Sequence, residues 1–214
     1  MSELLEHIQQ AIKSTVPQNK IGVAFSGGVD STLVAKICSN LGYDITLLTI
    51  GFKESPDILF AKEVNQKLHF PHEILEIEQD SFADVASKIY KKLNTENLSW
   101  NENSIAFYYV SKLAQSLEID TVVTANGIDE LFCGYNAYRN VIEDGADKVL
   151  ELMDKKLENE LNMMKAINNV TSEFDVKILQ PLLSKDFITF AKTVPLSEKI
   201  HNKDDLMRKH AIRK

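Results

Sequence analysis

Ser26-Gly27-Gly28-Val29-Asp30-Ser31 follows the apolar run Ile21-Gly22-Val23-Ala24-Phe25 and precedes a pattern that puts Leu33, Val34, Ile37 and Leu41 on one helical face. That context is a strand, a tight glycine turn, then a helix start. Two adjacent glycines let the backbone approach a bulky anion closely and take positive φ where the turn requires it. The amides at the helix start, with the helix dipole behind them, suit phosphate oxygens. Ser26 and Ser31 add hydroxyl donors, and Asp30 offers a hard oxygen ligand of the kind Mg²⁺ prefers. No lysine follows the turn, so this is not the G-x-x-x-x-G-K-[ST] loop. An ordinary βα turn accounts for the glycines but not for two serines and an aspartate around them.

Outward from this loop the chain alternates strand and helix patterns. Leu4, Leu5, Ile8 and Ile12 predict an amphipathic leading helix that stops at Pro17 and Asn19. Ile45–Ile50 is nearly continuously apolar, as a parallel strand covered on both faces should be. Ser55-Pro56-Asp57 reads as an N-cap, a first-turn proline and an early acid, and Phe60, Val64 and Leu68 continue that helix. His72–Ile77 predicts a third strand, 80–93 and 102–117 two helices, and Thr121–Thr124 a fourth strand. The expectation is an α/β fold, a doubly wound parallel sheet over residues 1–142. From Ala146, Leu150, Met153, Leu157, Leu161 and Met164 predict a long helix with one apolar seam. Residues 143–214 are expected to be helical and to close over the site within the same domain. A homodimeric coiled coil through that seam is the alternative use for it.

Composition narrows the function classes. The 214 residues are 44% hydrophobic and 26% charged, with a net charge of −7. That balance argues against a sequence-independent grip on nucleic acid, which needs Lys and Arg against phosphates. No apolar run approaches the roughly 20 residues of a membrane helix. Cys38 and Cys133 lie far apart without a CxxC, which fits reduced thiols and a cytoplasmic protein. His69 and His72 flank Phe70-Pro71, which cannot be a helix interior, so their spacing makes no zinc pair. Cys38 belongs to the inner face of its helix, and Cys133, Tyr135 and Tyr138 are expected to pack the loop that holds them.

A second constellation, Thr124-Ala125-Asn126-Gly127-Ile128-Asp129-Glu130-Leu131-Phe132-Cys133-Gly134-Tyr135, comes directly after the fourth strand. Ligands of open parallel sheets sit beyond the carboxyl ends of strands where strand order reverses. Asp30 and Asp129 both fall just past such ends. If the first and fourth strands are neighbours, the two carboxylates can share one magnesium ion.

The first loop resembles the SGGxDS pyrophosphate-binding loop of the PP-loop ATP pyrophosphatases. With the second loop, the chain resembles the synthetase domain of the asparagine synthetase family, whose members carry SGG(L/V)DS and later SG(E/D)GxDExFxGY. The likeness extends through Thr49-Ile50-Gly51-Phe52 with Asp57 and Ala61, through Ser104-Ile105 to Ala114, and to Pro181-Leu182-Leu183 and Lys209-His210-Ala211-Ile212-Arg213. It implies an adenine nucleotide alpha hydrolase-like fold. It also implies an ATP-dependent ligase that adenylates a small carboxylate, releases pyrophosphate with Mg²⁺, and passes the acyl group to an amine or ammonia. By resemblance, Ser26, Gly27, Gly28, Asp30 and Ser31 bind the phosphates. Ile50, Thr124 and Gly127 lie near the adenosine, Asp30 and Asp129 hold magnesium, and Lys209 neutralises charge on the phosphates. Asp129, Lys209 and Asn126 are the residues implied at the reacting centre.

The departures from the pattern matter as much. Asn126 stands where the family has an acid, and an amide cannot serve as a base. Thr124-Ala125 replaces Ser-Gly, Cys133 replaces a glycine, and Ser184 replaces the acid of the PFLD element. No N-terminal cysteine nucleophile or glutaminase domain precedes the loop, so the expected amine source is free ammonia, an amine substrate or a separate glutaminase subunit. Asparagine from aspartate is the product Asn126 argues against, whereas adenylation is expected to survive. Two rivals share the ATP loop: a PP-loop tRNA-modifying enzyme, and a catalytically degenerate nucleotide-binding regulatory subunit.

Overall fold

The strand that feeds the glycine loop, β1 (Lys20–Ala24), is flanked on both sides. Along one edge Lys20–Ala24 pairs in parallel with residues Asp44–Leu48 of β2 (Asp44–Phe52). Along the other, Gly22 and Val23 pair with Val122 and Val123 of β4 (Thr121–Val123). The computed structural model describes residues 3–17 and 19–214. The chain forms two compact units, one of Pro17–Thr124 with Met163–Leu179, the other of Met1–Val16, Ala125–Asn162 and Gln180–Lys214. Residue 142, where the sequence pattern changes, lies inside the second unit.

Among the described residues, the first unit holds a five-stranded, all-parallel sheet in the order β3-β2-β1-β4-β5, with β3 at His72–Ile77 and β5 at Lys177–Leu179. From β1 the chain works outward through β2 to β3, then returns to β4 on the far side of β1. The strand order therefore reverses between β1 and β4, the position at which open sheets of this type leave a ligand crevice. The helices α2 (Val29–Asn40), α3 (Pro56–Leu68) and α5 (Leu98–Ser116) pack on these strands, and α4 (Gln79–Leu93) packs on α5. The result is the doubly wound α/β fold expected from the alternation.

Local signals explain the boundaries. Pro56 opens α3, and the Ser55 hydroxyl accepts the Ile58 amide at 3.5 Å. The α5 helix starts four residues before the expected 102, because Asn97 caps it through the Trp100 amide. The buried stripe of α3 runs through Ile58 and Ala61, while Phe60 is half exposed. Strand β5, three residues long, was not expected; three residues are too few to display a period.

In the second unit, α1 (Glu3–Thr15) buries Ile8, Ala11 and Ile12 and packs on α9 (Lys185–Thr193), where the His7 and Phe190 rings stack at 3.6 Å. The short helices α6 (Ile128–Leu131) and α7 (Asn136–Val141) follow the second site loop. The long helix α8 (Ala146–Thr171) begins in this unit, and α10 (His210–Arg213) closes the chain. Cys133, Tyr138, Val149, Met153 and Ile200 form the core here. The seam of α8 differs from the expected one at one point: Glu160 is buried and Leu161 is exposed. No helix among the described residues is long and apolar enough to cross a membrane.

Candidate active site

The glycine loop leaves β1 at its carboxyl end. Gly27 has φ +76°, and a Cβ there would lie 3.1 Å from Ala61 Cα and from Phe60 Cδ1. Left-handed backbone and tight space together restrict the position to glycine. The two serines knit the turn. Ser31 Oγ accepts the Ser26 amide (3.3 Å) and donates to Gly28 O (3.2 Å), and Ser26 Oγ accepts the Gly28 amide (3.3 Å). Gly28 is the N-cap of α2, with Asp30 in the first helical turn, half-buried. Thus Ser26, Gly27, Gly28, Asp30 and Ser31 share one turn at a helix N-terminus, where the dipole favours an anion. Behind the turn, Thr49 Oγ1 donates to Phe25 O (2.7 Å) and meets His72 Nε2 at 2.8 Å. Burial lowers the His72 pKa, so this imidazole is a structural partner.

Ile50 stands on β2, close to the strand's end. It lines a cavity of about 230 Å³ with Phe52, Phe82, Ile105 and Tyr109, and with the carboxylates of Asp57 and Glu102. Thr124 follows β4, buried, its amide donating to Leu179 O at 3.0 Å. It therefore sits at the strand-order reversal beside β1.

The second loop lies in the second unit. Gly127 has φ +106°, and a Cβ there would be 2.9 Å from Leu182 O, so the loop packs on the Pro181–Leu183 turn through a backbone only glycine provides. Gly127 caps α6, which puts Asp129 and Glu130 in its first turn. Asp129 Oδ1 is 2.6 Å from Lys209 Nζ, and the lysine side chain is only 12% exposed. The frayed, solvated terminus that charge alone suggests for Lys209 is thereby set aside. Lys209 and Arg208 both adopt left-handed backbone, φ +51° and +43°. Such conformations persist where surrounding contacts over-determine them. The contacts come from Asp205, buried, whose carboxylate accepts the amides of His201, Met207 and Arg208 and the Nε2–H of His210. Burial would raise the Asp205 pKa, but the hydrogen bonds from Arg208, His201 and His210 outweigh it and hold this carboxyl well below the usual range. Arg208 Nε also donates to Gly134 O at 3.1 Å.

Glu130 is turned inward. Tyr135 Oη donates to its Oε1 at 2.5 Å, and Tyr138 Oη donates to its backbone carbonyl at 2.7 Å. Both tyrosines pack the loop, as expected. Asn126 Nδ2 donates to Glu160 Oε1 at 2.7 Å, which brings a carboxylate of α8 to the position lacking one. The structure thus gathers Asn126, Gly127, Asp129 and Lys209 in one unit, and the glycine loop, Ile50 and Thr124 in the other.

A sequence model of the asparagine synthase family matches residues 3–174. The chain belongs to the asparagine synthase family. Among curated relatives it is 28% identical over 203 residues to asparagine synthetase 2 (glutamine-hydrolyzing) of Oryza sativa subsp. japonica, covering 90% of this chain and 34% of that protein. It is 27% identical over 195 residues to the asparagine synthetase of Zea mays, covering 86% and 33% respectively. Among solved structures it is similar to an NMN synthetase from Francisella tularensis, with 19% identity, a TM-score of 0.44, and coverage of 63% of this chain and 59% of that one. The chain spans about a third of the length of these two plant relatives.

Within this asparagine synthase domain, the departures acquire physical meaning. Cys133 has φ +58°, left-handed backbone that a glycine adopts without strain, so the family's glycine is the relaxed choice there. The Cys133 thiol is buried and pushed up to about 12 by burial, as is that of Cys38, so neither is a nucleophile. Glu160 and Asp205 escaped the sequence reading. For Glu160 the available signal was an acid at the three-and-four spacing of Met153, Leu157 and Met164. Asp205 carried none beyond a turn-forming residue type. Gly134 is constrained by function-bearing neighbours: an added Cβ would fall 1.6 Å from Asp129 Oδ1 and 2.6 Å from Lys209 Cε. Gly134→Ala is therefore expected to drive these two side chains apart. Overpacking of this kind costs about 1–3 kcal/mol. Pyrophosphate release should fall about 10²-fold, as for loss of one electrostatic group, while thermal unfolding stays cooperative; an unchanged rate would show that the ion pair is not required.

Proposed function

We propose that this chain is an ATP-dependent, AMP- and pyrophosphate-forming carbon–nitrogen ligase that adenylates a small carboxylate and transfers the acyl group to an amine or ammonia. The observation that carries the reading is the SGGVDS turn itself, seated where strand order reverses between β1 and β4. Ser26, Gly27, Gly28 and Ser31 would take the β- and γ-phosphates that leave as pyrophosphate, using hydroxyls and helix-start amides. The cavity beside Ile50, apolar and aromatic with carboxylates at its edge, suits a purine ring, with Thr124 and Gly127 as further adenosine neighbours. Asp30 and Asp129 offer carboxylate oxygens, the donor type Mg²⁺ selects, and the ion would neutralise phosphate charge. Lys209 would add a fixed positive charge where negative charge develops on the phosphates.

The substrate remains to be chosen by experiment. Pyrophosphate release measured against a panel of amino and keto acids, with ammonia present, should rise above background for one or a few of them. ATP binding without pyrophosphate from any carboxylate would sink the ligase reading. The amine source is proposed to be free ammonia or a separate glutaminase subunit, and the setting a reducing cytoplasm, in keeping with the two buried thiols.

A further inference from the structure

Glu160 is 4% exposed on the buried face of α8, among Met153, Leu157 and Met164. Burying an ionised carboxylate costs several kcal/mol unless hydrogen bonds meet it. A leucine or methionine at 160 would serve α8 better if packing were its only task. Glu160 instead meets Asn126, whose Nδ2–H donates to Oε1 at 2.7 Å. Glu130, buried beside it, already has Tyr135 Oη as its donor. An ionised carboxylate has no proton to donate, so it forces the Asn126 amide to turn its nitrogen inward and its carbonyl oxygen away. Asn126 is the half-buried outer member of the pair, and Glu160 the inner one. Burial, with Glu130 and Asp129 adding to it and the Asn126 bond opposing, pushes Glu160 up to about 7.

We propose that Glu160 supplies from α8 the negative charge that position 126 lacks, holding Asn126 with its carbonyl oxygen turned toward the incoming nitrogen nucleophile. This rests on the ligase reading above. In the second half-reaction the nitrogen lone pair forms the C–N bond at the acyl carbon. The C–O bond to AMP breaks, and its electron pair leaves with AMP. While the nitrogen is positively charged, Asn126 Oδ1 accepts one of its N–H bonds and the Glu160 charge behind the amide favours the cation. The surplus proton then passes to water. Glu160 is a positioning residue acting through Asn126, and the pair does in two side chains what relatives with an acid at this position can do in one.

The test uses hydroxylamine as nucleophile, with the carboxylate that releases most pyrophosphate, and reads hydroxamate and pyrophosphate in one reaction. Glu160→Gln should leave pyrophosphate release within about twofold and lower hydroxamate per pyrophosphate about 10²-fold, the scale of one preorganised electrostatic group. The double variant Asn126→Asp with Glu160→Gln keeps the hydrogen bond with donor and acceptor exchanged and places the charge at 126. It should recover the ratio to within about tenfold of wild type, which a merely structural role for Glu160 does not predict. If Glu160→Gln fails to fold, Glu160→Leu, matched to its neighbours on α8, reads the same ratio and should show the same loss. An unchanged ratio in the single variant, or no recovery in the double, overturns this inference alone. No pyrophosphate from any carboxylate overturns the ligase reading, and this inference with it.

Discussion

Lys209→Met is expected to lower pyrophosphate release about 10²–10³-fold while ATP still binds. The magnitude is that of removing one preorganised charge from a water-poor site. The side chain is held for the purpose: its Nζ is 2.6 Å from Asp129 Oδ1, it is 12% exposed, and its backbone is left-handed. Methionine keeps the length and apolar stem of lysine, so packing changes little and the lost charge dominates. Lys209→Arg should rescue poorly, because a planar fork does not replace a point charge in the space left by Gly134. Steady-state pyrophosphate assays with equilibrium nucleotide binding separate the two effects. A wild-type turnover rate in Lys209→Met would make the ion pair structural only.

The second large effect is expected at Asp30. Asp30→Asn should abolish ATP cleavage, by at least about 10²-fold if its charge serves the phosphates or their metal. The change is isosteric, and Asp30 lies in the first turn of α2, where an acid gains from the helix dipole. Stability should therefore fall by no more than about 1 kcal/mol. Circular dichroism and thermal unfolding check the fold, and pyrophosphate release reads the chemistry. Release at the wild-type rate would remove Asp30 from the site.

How far the residues announced themselves follows from how local each signal is. Ser55-Pro56-Asp57 specifies a helix start within four residues, and Ser55 does accept the Ile58 amide. The SGGVDS turn is equally local: both serines bond within it, and Gly27 carries the positive φ that the doublet anticipates. The reversal between β1 and β4 follows from a fourth strand pairing with the first, which apolar alternation made the natural topology. Pairings distant in sequence were not legible. Asn126 and Glu160 are 34 residues apart, and the neighbouring Leu161 met the four-residue rhythm so well that Glu160 passed for a solvent-facing acid. Only the tertiary fold shows that α8 is turned one residue from that expectation. Asp205 orders the Lys209 segment through three backbone amides and His210, a set no spacing rule encodes. Strand β5 is recognisable only from its partner β4.

The central claim is that the chain splits ATP between the α- and β-phosphates by attack of a carboxylate oxygen. It is tested most directly by supplying the candidate carboxylates labelled with ¹⁸O and analysing the nucleotide product by mass spectrometry and ³¹P NMR. Amide formation through an acyl-adenylate must leave one labelled oxygen in AMP, with pyrophosphate formed in equal amount. ADP and orthophosphate, or AMP carrying no label, would contradict the account.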